Sequence, residues 1–172
     1  MKEMGDGEVD AYVASDPSHF GIVAKPEGWH KRRYSFAVVK KYPLCLHINK
    51  SHPLAKKKKV SFAELKDEPF LMLGKRSYFQ EIVREEATKY GFEPKVAFES
   101  ADVIQLASLA NSGKGVLIAT DNPVTRRLFP DIRVIPFDDP SFNYSIAFVF
   151  QSRDSLKAQD RVFIDYVVRN AR

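Results

Sequence analysis

From His52 to Pro123 the chain reads HPLAKKKKVSFAELKDEPFLMLGKRSYFQEIVREEATKYGFEPKVAFESADVIQLASLANSGKGVLIATDNP, an unbroken alternation of apolar runs, helical periodicity and glycine turns. His52-Pro53 marks a corner, and Phe62 to Leu65 predicts a short helical turn that Pro69 closes. Phe70 to Leu73 is a four-residue apolar strand bounded by Gly74. From Ser77 to Tyr90 the apolar positions Phe79, Ile82, Val83, Ala87 and Tyr90 recur at helical spacing, and Gly91 stands where a left-handed C-terminal cap is expected. Val96 to Phe98 predicts a strand. Ser100 is then read as the N-cap of a helix over Val103 to Ala110, with Asp102 in its first turn facing the positive end of the helix dipole. Gly113 and Gly115 surround the turn into a strand at Val116 to Ala119.

The flanks carry weaker signals. Val9 to Ala14 (VDAYVA) is a short β-prone run before the turn-formers Ser15, Asp16 and Pro17, and is read as a strand. Ser18 to Arg33 holds Gly21, Pro26 and Gly28 and is read as an irregular connection. Tyr34 to Val39 and Leu44 to Asn49 are two apolar runs separated by Pro43, the second with the look of a strand buried on both faces. The tail predicts strands at Ile132 to Ile135 and Ser145 to Phe150, then a helix from Leu156 to Val168 with Val162, Phe163, Tyr166 and Val167 as its core stripe. Strands alternating with helices argue for an α/β fold with mostly parallel strands.

Composition excludes several classes. A hydrophobic share of 44% with 28% charged residues suits a globular protein of one domain or two lobes. The net charge of +5 comes largely from Lys56 to Lys59 and His30 to Arg33, read as solvated loops rather than a nucleic-acid face. Cys45, the single cysteine, lies in the run LCLHI as an inert thiol, so neither a disulfide framework nor a thiolate metal set is expected. His19, His30, His47 and His52 are scattered without ligand spacing, so no metal and no cofactor are expected. Glu85 and Glu86 point apart on a helix, wrong for an acid/base pair. Gly113-Lys114-Gly115 precedes a strand, whereas a phosphate cradle opens a helix. No catalytic set emerges. The start, MKEMGDGEVD, lacks the apolar core of a signal peptide, and no apolar run reaches bilayer length, so a cytoplasmic location without membrane contact is the expectation.

The order and spacing of the His52 to Pro123 elements resemble the effector-binding domain of LysR-type transcriptional regulators. The resemblance covers nearly all of the chain from Gly5 onward. It implies a two-lobed periplasmic-binding-protein-like (type II) fold, with residues 1–52 and 134–172 in the first lobe and 53–133 in the second. The crossings would fall near Asn49 to Pro53 and Asp131 to Pro136. GDGEVDAYVAS resembles the end of that lobe's second helix and its third strand. The first lobe therefore reads as incomplete, the winged helix-turn-helix is missing, and the chain reads as a truncated copy or excised fragment. No DNA binding by this chain alone is expected, nor the family's usual dimer; a non-standard homo-oligomer is, through an exposed VDAYVA edge.

The resemblance also implies an effector site. Ser15 follows the VDAYVA run, Ser77, Tyr78 and Phe79 open one helix, and Ser100 with Ala101 opens the next. Open helix ends offer unpaired N–H groups and hydroxyls suited to a small anion, with Lys75 and Arg76 nearby. Each has a plainer reading: Ser100 as an ordinary cap, Phe79 as a core aromatic, the two cations as loop charges. The function implied is sensing of a small anionic metabolite, without catalysis. The alternatives are a solute-binding protein of a transport system and a remnant without independent activity.

Overall fold

A computed structural model describes residues 6–25, 34–74 and 77–171. The basic run His30 to Arg33 and the pair Lys75 and Arg76 lie outside the described residues. The chain forms two compact units, one of Met1–Tyr42 with Tyr144–Arg172 and one of Pro43–Asn143. The crossings of the chain thus fall at Tyr42/Pro43 and Asn143/Tyr144, where the sequence pattern put them about ten residues further into the second unit.

In the first unit VDAYVA is not a strand but part of helix α1, Asp6–Ser15. Val9, Ala11 and Val13 fit a strand's alternation, and Val9 with Val13 equally fits one face of a helix. Burial decides between them: Val9 and Val13 are buried while Ala11 is exposed. The approach of α1 depends on Gly21, because a Cβ there would sit 2.5 Å from Val9 Cγ1. The Gln151 amide donates to the Val13 carbonyl at 2.9 Å, satisfying a backbone acceptor at the end of α1.

Gly21 belongs to strand β1, Phe20–Lys25, in the segment read from sequence as irregular. β1 pairs antiparallel with β7, Asn143–Phe150, from Phe20↔Phe150 to Lys25↔Ser145. β7 lies between β1 and the next strand, β2, Ser35–Asn49. Alternate residues face opposite sides: Val23 and Val149 pack with Val9 and Val13, whereas Phe148 and Phe150 pack with Leu156 and with Ile164 of helix α5, Ala158–Asn170. The core stripe of α5 differs from the one its sequence predicts. Ile164 is fully buried, with Val167 and Val168 beside the core, while Val162, Phe163 and Tyr166 are exposed.

The two apolar runs around Pro43 are one strand, β2, Ser35–Asn49. In the second unit Leu44 to Ile48 are buried, because β5 (Val116–Thr120) and β6 (Ile132–Pro136) both pair with this stretch, antiparallel. Strand β3, Pro69–Leu73, runs parallel to both β4 (Lys95–Ser100) and β5. The described sheet is therefore mixed rather than mostly parallel, since β1, β2, β6 and β7 all make antiparallel pairs.

Helix α2, Tyr78–Lys89, links β3 to β4, and α3, Val103–Asn111, links β4 to β5. Gly91 has φ 75°, and the Gly91 and Phe92 amides donate to the Thr88 and Ala87 carbonyls, closing α2 as its sequence predicts. Gly115 lets β5 start against Pro69, whose carbonyl oxygen a Cβ would meet at 2.5 Å. One face of β3 and β5 presents Leu71 and Leu117 to Leu106, Ala107 and Ala110 of α3. In the same unit Phe62, in the 3₁₀ turn Phe62–Leu65, packs among Phe70, Phe92, Phe137 and Phe142.

Candidate functional site

The parallel strands β3 and β4 end together, with Leu73 opposite Ser100 and the Gly74 amide donating to the Ser100 carbonyl at 3.1 Å. From β3 the chain moves sideways to β4, then from β4 back past β3 to β5. With right-handed crossovers, these opposite displacements place α2 and α3 on opposite faces of the sheet. The N-termini of both helices therefore start at the same carboxyl edge, where β3 and β4 end. That is where open α/β sheets receive ligands.

The expected site residues divide between the units. Ser77, Tyr78, Phe79, Ser100 and Ala101 belong to the second unit, and Ser15 to the first. Ser15 does not follow a strand; it is the last residue of α1, and its hydroxyl donates to the Tyr12 carbonyl at 2.7 Å and lies 3.3 Å from His19 Nδ1. Ser77 is the N-cap of α2, its hydroxyl accepting from the Phe79 amide at 3.2 Å. Tyr78 opens the helix, and Phe79 is half-buried. Ser100 is not the cap of α3. That position is held by Asp102, whose carboxylate accepts from the Ile104 amide at 2.8 Å. The Ser100 hydroxyl instead accepts from the Asp102 amide at 3.0 Å and donates to Gln105 Oε1 at 2.7 Å, with Ala101 exposed in the bend between them.

The two helix entrances differ in charge. At α3 the capping carboxylate of Asp102 complements the helix dipole, whereas α2 is capped by the neutral Ser77 hydroxyl and has its acid, Glu81, within the first turn. Buried Gln80, in the first turn of α2, donates to Glu99 Oε1 of β4 at 2.9 Å, tying the α2 entrance to the strand end. The space beneath α2, bounded by Phe70, Met72, Phe79, Gln80, Val83 and Ile118, amounts to about 10 Å³. This is too small for a metabolite.

Further along that edge Asp121 receives two hydrogen bonds from Arg126, both 2.7 Å, which hold its carboxyl below the usual carboxylate range. Asn122 caps the short helix α4, Pro123–Leu128. His47 of β2 is fully buried, and neither ring nitrogen has a hydrogen-bond partner. Burial pushes its pKa down to about 4. Burial likewise pushes the Cys45 thiol up, which keeps it protonated and unreactive. Among the described residues no group of three or more His, Cys, Asp or Glu gathers as a metal site, and no helix is long and apolar enough to cross a membrane.

Sequence reading passed over Gln80, Glu99 and Gln105. Asp102 followed three residues later by Gln105 resembles a helix-start pattern and could have flagged the last. The Gln80–Glu99 bond joins residues nineteen apart and has no local signature.

The family model of the LysR substrate binding domain matches residues 3–172. A curated relative, the uncharacterized HTH-type transcriptional regulator YwbI of Bacillus subtilis (strain 168), is 30% identical over 166 residues, covering 95% of this chain and 50% of the relative. The transcriptional dual regulator GltC of the same organism is 22% identical over 69% of this chain and 40% of its own length. The chain thus spans about half the length of the curated relatives it matches. Among solved structures, the effector-binding domain of QuiR in complex with shikimate has a TM-score of 0.77 at 14% identity, over 98% of this chain and 78% of that one. The BenM effector-binding domain with its effector benzoate has a TM-score of 0.74 at 19% identity, over 98% and 75%. The mixed α/β fold is that of these periplasmic-binding-protein-like domains.

Proposed function

The chain belongs to the LysR substrate-binding domain family, and from that premise we propose that it senses a small anionic metabolite at the carboxyl edge of β3 and β4. The observation that carries this reading is the pair of helix entrances on opposite faces of one sheet edge, with Ser77 at one and Ser100 at the other. The α2 entrance, whose cap is a neutral hydroxyl although Glu81 stands in the first turn, is the proposed anion end. The Ser100, Gln105 and Asp102 group at α3 meets the ligand's hydroxyls or other hydrogen-bond donors. Ser15 is outside the proposal because its hydroxyl already closes α1. Shikimate and benzoate, the ligands of QuiR and BenM, make carboxylates the first class to try.

Binding rather than turnover is the proposed role, in the cytoplasm. The ligand would act by binding two conformations of a longer regulator with different affinity, the only way a ligand shifts an equilibrium. The test is a thermal-shift and calorimetric screen of small carboxylates, benzoate and shikimate included, each against its amide. Ser77→Ala is expected to weaken a carboxylate hit about tenfold, the effect of losing one hydrogen bond to a charged group, and Ser100→Ala to weaken by less a carboxylate that also carries hydroxyls, such as shikimate. Hits among neutral compounds only, or affinities that both variants leave intact, would overturn the reading, and ligand consumed during the titration would point to an enzyme.

A further inference from the structure

The fully buried ring of His47, with no hydrogen-bond partner at either nitrogen, is costly to keep. A phenylalanine would fill such a place without orphaning a polar atom, so packing alone does not account for the imidazole. The strand register gives its surroundings. His47 lies opposite Leu117 of β5 and Val134 of β6, and Cys45, two residues back on the same strand, shares its face and lies opposite Ala119. Leu117 and Ala119 lead along that face to Asp121, just beyond the end of β5. Helix α3 covers Leu117 with the apolar Leu106, Ala107 and Ala110, and Arg133 of β6 pairs with Ile48 and so takes the other face. The Cys45 thiol is kept protonated by burial. Among the described residues two charges act on the imidazole: Asp121, which favours its protonated form, and Arg126 of α4, which opposes it.

Asp121 is already engaged. Arg126 Nε donates to its Oδ1 and Nη2 to its Oδ2, both at 2.7 Å, so one guanidinium occupies both oxygens. The two side chains are 53% and 46% exposed, which leaves Arg126 open to an anion from solvent. We propose that Asp121 is a shared carboxylate: held by Arg126 it leaves His47 neutral, and released by Arg126 it draws a proton from solvent onto the imidazole, making this corner of the second unit a proton-linked switch. The trigger rests on the carboxylate reading above. A ligand carboxylate that takes Arg126 from Asp121 leaves Asp121 without its counterion, and binding then takes up one proton. The uptake belongs to weakly acidic solution, between the folded midpoint of about 4 and the ordinary 6.5 of a histidine.

Proton–carbon NMR of the imidazole rings of the full chain, followed against pH, tests the switch, with His47→Phe assigning the signal. Arg126→Gln should raise the His47 midpoint by about one pH unit or more, the effect of an opposite charge made available nearby. Arg126→Lys keeps the charge without the two-point hold and should raise it by less. Asp121→Asn should not raise it, and in that background Arg126→Gln should have a smaller effect than in the parent, which separates release of Asp121 from simple loss of a positive charge. Circular dichroism at neutral pH should match the parent throughout. A midpoint unmoved by Arg126→Gln, or moved equally with and without the Asp121 carboxylate, overturns the proposal. Benzoate in excess supplies the ligand arm: it should raise the His47 midpoint in the parent and not in Arg126→Gln. Benzoate that binds by calorimetry without moving the midpoint overturns the trigger and leaves the carboxylate reading standing. The expected variant shifts without benzoate binding support the switch and count against that reading instead.

Discussion

The second unit has a helix on each face of its parallel strands, with Ser77 and Asp102 as side-chain N-caps. The first unit is held together differently: α1 and α5 sandwich antiparallel strands, α1 docks where Gly21 lacks a side chain, and a distant glutamine satisfies its final turn. Local signals and tertiary packing agree in the second unit. In the first, packing selects among local conformations that the sequence permits about equally, and that is where expectation and structure part. The contrast also bears on function, because both helix entrances of the proposed site sit in the unit whose elements are locally specified.

The largest expected effect is in the second unit's aromatic cluster. Phe62→Ala removes a ring packed among Phe70, Phe92, Phe137 and Phe142 and should cost about 3–5 kcal/mol. Val13→Ala under α1 should cost roughly 1.5–3 kcal/mol. Urea denaturation followed by circular dichroism reads both, and equal losses would erase the contrast between the units.

Acid should weaken the second unit through His47. Its folded pKa of about 4 lies below the ordinary 6.5, so the unfolded chain binds the extra proton first as pH falls. The stability that neutral His47 allows is full above pH 6.5 and declines between 6.5 and 4, by about 3 kcal/mol in all. His47→Phe should flatten the acid limb of a stability–pH curve across that window. An unchanged limb would place the titrating group elsewhere.

Next come two glycines that admit a close neighbour. Gly115→Ala would press its Cβ into the Pro69 backbone carbonyl, while Gly21→Ala meets side chains alone, that of Val9 first. We expect Gly115→Ala to cost about 1–3 kcal/mol and Gly21→Ala less, since Val9 and α1 can shift by a few tenths of an ångström and a strand carbonyl cannot. Melting curves of the two variants decide the order.

The smallest effect separates a cap from its neighbour. Asp102→Ala should lower stability by about 1 kcal/mol, and Ser100→Ala by less, because Asp102 satisfies an amide inside the helix and Ser100 one just before it. The reverse order would restore Ser100 to the role its sequence position suggested.

The fold class, the helices α2 and α3, and strands β3 to β7 within a residue or two were legible because each is set by interactions within a few positions. Ser77 caps the third residue of its own motif, and Gly91 takes the left-handed conformation that ends α2. The same locality located the two serines of the candidate site. It could not reveal Gln80 reaching Glu99. VDAYVA marks the limit. Valines at positions 9 and 13 suit a strand or a helix alike, and only the approach to Gly21, which leaves Ala11 in solvent, makes the segment helical. For α5 the sequence determined a helix with apolar residues on more than one side. Which side turns inward was decided by the strands beneath it, because a periodicity fixes the spacing of a stripe, whereas the neighbour that buries it fixes the direction.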